Sequence, residues 1–437
     1  MHRSGFRLRC GRRASRWLAL LAGILALGCL PRAVAQEDVW APEIPLTHEA
    51  GTHARPLGMG GAYLAVSDDA AALRYNPAGL ARVQRIEFTG TLLELSRESE
   101  NEFHGTRAKA DLARTHVTSL GFVYPFPTYR GSMVIALGYN VPYVIDRDYR
   151  RTGTWEQESL DEALFEEGSV GEWSFGYAVD VAPRLSLGFR ASWIQGSRMQ
   201  DWIFERRSGG SQIARFHDIN DIDISGYTGS LGALARLGAW GRMGLVLDLP
   251  RWIHMDGTLS ALAEGEEYLI DEAMTLPFRA GVGFALMPGR LLLAADARLT
   301  DWSQIDYEGP LRYTDQTGRR RLAYESTWEL HLGAEYLFEL GEMLGLRVRA
   351  GYARQPVPYQ ILLEDIALQD EAIAPVYRKA AFDPNRDALS FGLGLLIEQS
   401  LTLDAAFVMS DFTRSGTDLT EEETEQRVLL TAAFRLQ

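Results

Sequence analysis

Cysteine is almost absent from the sequence, which contains only Cys10 and Cys29 among its 437 residues. Both lie within the first 35 residues, a region that differs from the rest of the chain in composition. Because the remaining residues include no thiol, disulfide bonds, thiol catalysis and cysteine-ligated metal sites are excluded there.

Long apolar runs are also scarce, and the clearest one is near the N-terminus. Six arginines precede or begin an apolar run over Trp17–Leu30, and Ala33–Ala35 then places small residues at the −3 and −1 positions of a cleavage site. This layout is typical of a secretory signal, and the run is too short to span a bilayer comfortably. We therefore predict a signal peptide over residues 1–35 and a mature chain that begins at Gln36.

Cys29 leaves one alternative for this leader. The residue follows Leu27 and Gly28, as the lipidated cysteine of a lipoprotein would, but Ala26 stands where that signal prefers leucine. No later stretch has about 18 consecutive apolar residues, so no transmembrane helix is predicted after the leader. An exported chain without such a helix is soluble, lipid-anchored or a closed barrel, since only closed barrels satisfy every backbone group in lipid without helices.

Basic side chains are fewer than acidic ones in the chain as a whole. There are 44 basic and 58 acidic side chains, and seven of the arginines but none of the acids lie in residues 1–35, so the remainder carries a formal charge of −21. Phosphate recognition needs a basic surface. This balance argues against nucleic acid as a partner.

From about residue 84 onward, apolar and polar residues alternate with a period of two. Segment 185–193 places five apolar residues on one face, namely Leu185, Leu187, Phe189, Ala191 and Trp193. The same alternation recurs in 278–286, 291–300, 328–336, 346–352 and 401–409. A strand has this period when one face meets lipid and the other lines a lumen.

The pattern predicts about fourteen strands joined by connections of alternating length. The strands are predicted near 84–96, 115–124, 130–141, 171–182, 184–198, 222–238, 241–250, 276–287, 290–302, 327–340, 345–355, 387–397, 400–412 and 427–436. The long connections fall at 97–114, 142–170, 199–221, 251–275, 303–326, 356–386 and 413–426. Bacterial barrels have an even strand number, tight periplasmic turns and long external loops. We therefore predict an all-β fold, a transmembrane antiparallel β-barrel of about fourteen strands in the outer membrane.

Aromatic residues near the predicted strand ends support this fold. They are Tyr124, Tyr139, Tyr143, Trp173, Trp193, Trp252, Trp302, Trp328 and Tyr352. The aromatic belts of membrane barrels lie at such positions.

Residues 36–83 do not alternate and contain three short motifs. These are Arg55-Pro56-Leu57-Gly58-Met59-Gly60-Gly61-Ala62-Tyr63, Ser67-Asp68-Asp69-Ala70-Ala71-Ala72 and Tyr75-Asn76-Pro77-Ala78-Gly79-Leu80. In this order before the first strand, they resemble the FadL/TodX family of outer-membrane transporters for long-chain fatty acids and aromatic hydrocarbons. They resemble almost as closely the PorV-type barrels that serve a secretion system. Segments 276–281, 296–303 and 349–352 also look like strands of this superfamily, so the resemblance covers nearly the whole mature chain.

The resemblance implies that residues 36–83 form a hatch inside a barrel over residues 84–437, and that this hatch moves when ligand binds. A static seal is the alternative. The hatch motif comprises Gly58, Gly60, Gly61, Asn76, Pro77 and Ala78. Glycines allow positive φ and close backbone approach in a narrow lumen. Asn76 is kept out of the α region by Pro77, and its amide can bond nearby backbone, which predicts a stable turn.

The chain lacks the motifs of common catalytic and cofactor sites. The Gly58–Gly61 stretch has no strand before it and no lysine after it, and neither Gly-x-Ser-x-Gly nor His-Glu-x-x-His occurs. Asp68-Asp69 fits a helix start or a turn better than a cation site. His331 fits a solvated lumen lining better than a metal or proton site. We therefore expect no enzyme activity, no cofactor and no metal.

Ten charged residues are expected on the lumen face: Arg190, Arg279, Asp296, Arg298, Glu329, His331, Glu335, Arg347, Arg349 and Asp404. Their mixed charge is suited to holding the hatch by salt bridges. Alternatively, arginines among them clamp a ligand carboxylate, which a guanidinium matches with two hydrogen bonds. The candidates for that role are Arg279, Arg298 and Arg349.

Two of the predicted long loops are unusually apolar. Trp202 and Phe204 lie in 199–221, and the second loop, 251–275, contains Trp252, Ile253, Leu262 and Tyr268. The resemblance implies that these loops form a groove that first captures a hydrophobic ligand, since an exposed apolar patch often marks a binding surface. The alternative is that the loops bury these residues in order to stay folded.

These observations predict passive uptake of hydrophobic small molecules, such as long-chain fatty acids or hydrocarbons, through a plugged barrel surrounded by outer-membrane lipids. The alternative is a PorV-like barrel whose loops bind exported proteins in protein secretion or surface attachment. A general porin is disfavoured by the predicted hatch.

Overall fold

The computed structural model describes residues 46, 48–308, 326–358, 361–369, 372–379, 385–398, 400–416 and 418–436. The predicted signal peptide and its cleavage site lie outside the described residues. Before the first strand, the chain forms helices α1 (Ala54–Gly58) and α2 (Ala72–Tyr75) and a 3₁₀ helix over Pro77–Arg82. A second 3₁₀ helix spans Trp302–Gln304.

Twenty strands follow in the described residues. They are β1 (Ile86–Phe103), β2 (Thr106–Phe126), β3 (Met133–Val144), β4 (Arg147–Trp155), β5 (Glu158–Ala182), β6 (Leu185–Ser208), β7 (Ser211–Arg236), β8 (Gly241–Asp248), β9 (Arg251–Ala261), β10 (Glu266–Leu276), β11 (Arg279–Leu286), β12 (Leu291–Thr300), β13 (Asp306–Glu308), β14 (Thr327–Glu339), β15 (Leu344–Pro356), β16 (Ile361–Gln369), β17 (Ala372–Lys379), β18 (Asn385–Ile397), β19 (Leu401–Ser415) and β20 (Leu419–Leu436).

Eighteen of these strands pair into one sheet, which closes on itself because β20 pairs antiparallel with β1, with Phe88 opposite Phe434. Strands β16 and β17 form a separate hairpin. We call each continuous line of strand that crosses the wall a stave. Four staves consist of two successive strands each: β3 with β4, β8 with β9, β10 with β11, and β12 with β13. Prolines explain two of the breaks, since Pro250 and Pro277 have no N–H for the ladder. The wall therefore has fourteen staves, which confirms the predicted closed antiparallel barrel.

The strands at one end of the barrel are longer than predicted. Segments 97–114, 142–170, 199–221, 251–275 and 413–426, predicted as loops, are mostly strand. The sequence signal fades there because the outward residues change from apolar, as at Phe88 and Leu92, to acidic, as at Glu94 and Glu98, while the backbone pairing continues. At about 3.3 Å per residue, β7 spans roughly 86 Å, far more than an apolar band of about 25 Å requires.

The outer face of the barrel is apolar over its other half. Exposed leucine, phenylalanine and tryptophan side chains cover it, including Leu187, Phe189 and Phe391. A row of aromatic residues crosses five staves in register: Tyr139, Trp173, Trp193, Tyr227 and Trp252. This surface is the one that meets hydrocarbon and its interface in a transmembrane barrel. No helix in the described part of the chain is long and apolar enough to cross a membrane.

Two aromatic residues predicted for the belt lie elsewhere. Tyr143 and Trp302 are buried and point into the barrel, where they belong to an internal apolar cluster. Tyr143 follows a register shift in the pairing of β3 with β5, between Asn140 and Tyr143, which changes the face on which the next side chains lie.

Candidate functional site

Residues 48–83, called the N-terminal segment below, lie against the inner face of the barrel. Wall glycines allow this contact, because a Cβ atom at Gly333 would lie 2.5 Å from the carbonyl oxygen of Met59 and one at Gly188 would lie 2.5 Å from the Ala78 nitrogen. The same overlap with segment atoms would arise at Gly232, Gly244, Gly283 and Gly351. Nothing in the local sequence around these wall glycines predicts this packing.

The glycines of the hatch motif meet two different requirements. Gly60 and Gly61 have φ values of +63° and +79°, the left-handed region that glycine adopts most readily. Gly58 does not have positive φ, but a Cβ at this position would lie 3.1 Å from the Cα of Gly392 in β18. The motif therefore combines a tight turn with a close backbone approach.

Side chains of the wall hold this turn from three staves. The ring of His331 lies with Nδ1 2.7 Å from the carbonyl oxygen of Gly60, and the Gly60 N–H donates to Ser390 Oγ at 3.0 Å. One carboxylate oxygen of Asp296 accepts from the backbone N–H groups of Tyr63 and Leu64 at 2.6 and 2.8 Å. His331 thus contacts the segment directly.

Arg55 connects the N-terminal segment to the wall. Its guanidinium donates to Glu335 through Nε at 3.0 Å and Nη2 at 3.1 Å, and Nη1 donates to Tyr63, Asp68 and Asp69 at 2.9, 2.7 and 3.1 Å. The arginine is buried. A buried, bidentate pair with further hydrogen bonds has the geometry that compensates the cost of desolvation.

Asn76 makes the predicted turn. Its backbone is extended, its Oδ1 accepts from the Ala78 N–H at 3.1 Å, and its Nδ2 donates to the carbonyls of Leu64 and Ala233 at 2.7 and 3.3 Å. One side chain therefore caps the 3₁₀ helix that begins at Pro77, bridges two parts of the segment and reaches the wall.

The three arginines proposed as ligand clamps lie in different surroundings. Arg349 is buried and bonds Glu335 and Asp404, each at 2.7 Å. Arg298 lies over the Tyr75 ring, with 5.8 Å from its guanidinium carbon to the ring centroid. Arg279 donates to Asp248 at 2.9 Å and to Glu49 at 2.8 Å. Arg349 and Arg279 are each paired with two carboxylates at short distance, whereas Arg298 lies 3.8 Å from Glu329.

Arg279 belongs to a group, called the arginine cluster below, that consists of Arg74, Arg251, Arg279 and Arg298 around Glu49. The Oε1 atom of Glu49 lies 2.6 Å from Arg74 Nη2, 2.8 Å from Arg279 Nη1 and 3.9 Å from Arg251 Nη2. Although burial alone would raise the pKa of Glu49, these guanidinium groups hold that pKa well below its ordinary value. The carboxylate is therefore charged.

Sequence reasoning missed Glu49, Arg74 and Arg251. They come from the beginning and the end of the N-terminal segment and from β9, and nothing local in the sequence brings them together. The close spacing of the cluster is a product of the tertiary structure.

A layer of buried apolar side chains, called the apolar layer below, lies inside the barrel at and beyond the level of the aromatic row. Its members are Leu46, Tyr143, Ile145, Val170, Ile194, Ile222, Ile224, Ile253, Met274, Leu276, Trp302, Val357 and Phe412. A cavity of about 30 Å³ lies between this layer and the arginine cluster, lined by Tyr143, Leu276, Trp302, Arg251 and Glu49, among others.

The apolar residues predicted to capture ligand do not form one surface. Trp202 and Phe204 pack in a cluster at the far ends of the strands, with Phe103, Leu160 and Leu419. Ile253 points inward into the apolar layer, whereas Trp252 points outward and stacks on Tyr227 at 4.9 Å between ring centroids. Leu262 and Tyr268 are exposed at the tip of the β9–β10 hairpin.

The described residues contain no group of three or more His, Cys, Asp or Glu side chains arranged to hold a metal ion.

Comparison with known proteins rests on structure alone, since no family model and no curated protein matches the sequence. A FadL homologue of Pseudomonas aeruginosa superposes with a TM-score of 0.62 at 15% identity, covering 90% of this chain and 100% of that chain. The Pseudomonas putida toluene transporter TodX gives a TM-score of 0.59 at 15% identity, covering 90% of this chain and 99% of that chain. The Ralstonia pickettii toluene transporter TbuX gives 0.56 at 14% identity, covering 90% and 100%. The chain thus has the fold that the sequence motifs predicted, that of the FadL and TodX barrels.

Proposed function

We propose that the chain is an outer-membrane protein, exported by its signal peptide, that passively takes up hydrophobic small molecules. Three observations support this proposal: the apolar outer face of a closed barrel, the apolar layer inside it, and a fold shared with a FadL homologue and with toluene transporters. A barrel that serves only water-soluble solutes has no need for an apolar layer across its interior.

The observation that carries the substrate class is the position of the arginine cluster next to the apolar layer. Arg251 and Arg279 line the same cavity as Leu276 and Trp302. A guanidinium binds a carboxylate through parallel hydrogen bonds, and an apolar layer accepts a hydrocarbon tail. This pairing favours amphipathic acids such as long-chain fatty acids over neutral aromatic hydrocarbons.

The proposed route begins at the strand ends that lie beyond the aromatic row, opposite the short turns. Exposed apolar side chains there, namely Leu262 and Tyr268, first adsorb the ligand from outside. The ligand then passes into the apolar layer, displaces part of the N-terminal segment, which acts as a hatch around Asn76 and Pro77, and leaves sideways through the barrel wall. Exposed apolar side chains at the strand tips and the small size of the internal cavity support a route that needs movement.

Uptake of labelled oleate by cells that lack their own transporter tests the function. Expression of this chain should restore uptake, and Ile253→Ala should reduce it several-fold because the inward side chain of Ile253 lies in the apolar layer. Trp252→Ala is the matched control, since the adjacent residue points outward. Oleate uptake that stays at background, together with recovery of exported proteins on the purified barrel, would favour the PorV-like alternative instead.

A further inference from the structure

Leu46, which precedes the N-terminal segment, and Glu49, near its start, together resemble a ligand in its own binding site. Leu46 belongs to the apolar layer, and three residues later the carboxylate of Glu49 lies in the arginine cluster. Both side chains line the same cavity. An apolar group and a carboxylate are thus presented together, as in a short amphipathic acid.

The arginine cluster depends on this carboxylate. Among the described residues, Glu49 is the single carboxylate within 4 Å of Arg74, which is buried. Arg251 is also buried, and its ion pairs are long, 3.9 Å to Glu49 and 4.0 Å to Glu172. Its Nε and Nη2 atoms have no hydrogen-bond partner among the residues that the structure describes, although the side chain lines the cavity beside the apolar layer.

Departure of Glu49 without a replacement would therefore be costly. It would leave Arg74 as a buried cation without its carboxylate and Arg251 with one distant partner. Breaking a buried pair on one side is strongly destabilising, since the remaining charge has neither water nor a counter-ion. A second anion at the same position removes this cost.

We propose that Glu49 is a resident counter-ion that the ligand replaces: the carboxylate of an amphipathic acid binds Arg74, Arg251 and Arg279 in its place, while the apolar tail takes the space of Leu46. This inference rests on the proposed function and adds that an acidic ligand itself triggers release of the residues around Glu49. Leu46 and residues 48–50 leave the site when an acid arrives, whereas a neutral hydrocarbon leaves Glu49 where it is.

The backbone near Glu49 provides the readout. The Ala50 N–H donates to the carbonyl oxygen of Pro142 at 2.8 Å, and the carbonyls of Glu49 and Ala50 accept from Arg427 at 3.1 and 2.8 Å. Release of residues 46–50 breaks the Ala50 bond, so its amide exchanges faster with solvent. Hydrogen exchange of a peptide spanning residues 46–52 reports this directly.

The experiment compares oleate with oleyl alcohol, which has the same tail and no charge, on the purified full-length chain in detergent. Oleate should accelerate exchange of the 46–52 peptide at least tenfold, and oleyl alcohol should leave it unchanged. The Glu49→Gln variant should bind oleate about tenfold more tightly, because the competing carboxylate is gone. Glu98→Gln is the matched control, since it removes one negative charge from the exposed outer face of β1.

Equal exchange with oleate and oleyl alcohol would overturn the proposal, and so would equal oleate affinity in the Glu49→Gln and Glu98→Gln variants. The comparison of the two ligands on the unmodified chain needs no variant and remains decisive if Glu49→Gln folds poorly. Failure of the proposed function looks different, since oleate would then be neither bound nor taken up. Oleate that is taken up without release of residues 46–50 contradicts the counter-ion exchange alone.

Discussion

The interior of the barrel is filled in two different ways. Near the short turns, the wall contributes glycines and charged side chains, and the N-terminal segment supplies the bulk. At and beyond the aromatic row, the wall fills the lumen with its own side chains, mostly isoleucine, leucine and valine. The first region is held by backbone contacts and ion pairs, and the second by apolar packing.

The region of backbone contacts and ion pairs therefore closes the barrel, and the region of apolar packing is the one suited to binding a hydrophobic ligand. Apolar side chains can rearrange around a hydrophobic ligand at modest cost, because the contacts that they lose are replaced by similar ones. Ion pairs and backbone contacts do not exchange with a hydrocarbon in this way. Glu49 lies at the boundary between the two regions, where the carboxylate of an acid can form ion pairs in one region while its apolar tail packs in the other.

The largest expected loss of stability concerns the wall glycines against which the backbone of the N-terminal segment packs. In Gly351→Ala, the new methyl group would overlap backbone atoms of Met59 and Gly60, which cannot rotate away. The turn at Gly60 should leave the wall, at a cost on the order of 5 kcal/mol, the upper end for single substitutions. Hydrogen exchange at the Gly60 amide, which otherwise donates to Ser390, measures it.

Gly90→Ala is the control for this substitution. A Cβ at Gly90 in β1 would lie 3.6 Å from a methyl group of Leu120, an ordinary van der Waals distance. The variant should fold and keep Gly60 protected. Similar exchange at Gly60 in both variants would mean that the wall glycines do not determine how the segment is seated.

The second prediction tests the ion pairs of the same region. Arg55→Met removes the ion pairs of Arg55 with Glu335, Asp68 and Asp69 at once, although Glu335 keeps Arg349 and Asp68 keeps Arg242. Breaking a buried pair costs about 3–5 kcal/mol, and the remaining partners place the expected cost at the lower end, about 3 kcal/mol. Exchange at the Tyr63 amide, which donates to Asp296, should rise accordingly.

Arg354→Met provides the comparison, because its ion pair with Asp387 is exposed on both sides. An exposed pair contributes about 0–1 kcal/mol. If Arg55→Met and Arg354→Met lowered protection of the Tyr63 amide equally, the Arg55 contacts would not be what seats the segment.

Sequence reasoning succeeded within the regular strands, where successive side chains point to opposite faces of the sheet. The period of two placed all ten predicted lumen residues on the inner face, including Asp296, His331 and Arg349. It failed at the strand ends, where the outward residues are no longer consistently apolar and the alternation disappears. Trp252 and Ile253 show the consequence: once 251–275 is taken as a loop, two neighbours on opposite faces are assigned to one surface.

The contacts of the N-terminal segment were beyond the reach of such patterns. Arg55 and Glu335 are 280 positions apart, and Tyr63 and Asp296 are 233 apart. Taken alone, each of these residues is as consistent with a side chain solvated in the lumen as with one bonded to a specific partner. Closure of the sheet is what brings the partners together, so the pairing can be derived only after the register of fourteen staves is known.

The smallest expected effect is a dependence of segment seating on pH. His53 is buried in the N-terminal segment, and burial lowers its pKa to about 4, while Asp69 acts in the opposite direction. Charged groups on the segment and on four staves line the same cavity, namely Arg55, Asp69, Glu87, Arg347, Asp404 and Arg435. A released segment would expose His53 to water, where its pKa returns to about 6.5.

The sign follows from proton binding. Between pH 6.5 and pH 4, the released segment binds a proton at His53 and the seated segment does not, so acidification favours release. Seating should be strongest above pH 6.5 and weaker by about 1.4 kcal/mol at pH 5.5, because one pH unit corresponds to 1.36 kcal/mol. His53→Gln removes the titrating group, so hydrogen exchange of the Ala54 amide, which donates to Thr431, should lose this part of its pH dependence after correction for the intrinsic rate. A variant whose exchange follows pH as steeply as the unmodified chain would assign the effect to another group in the cavity.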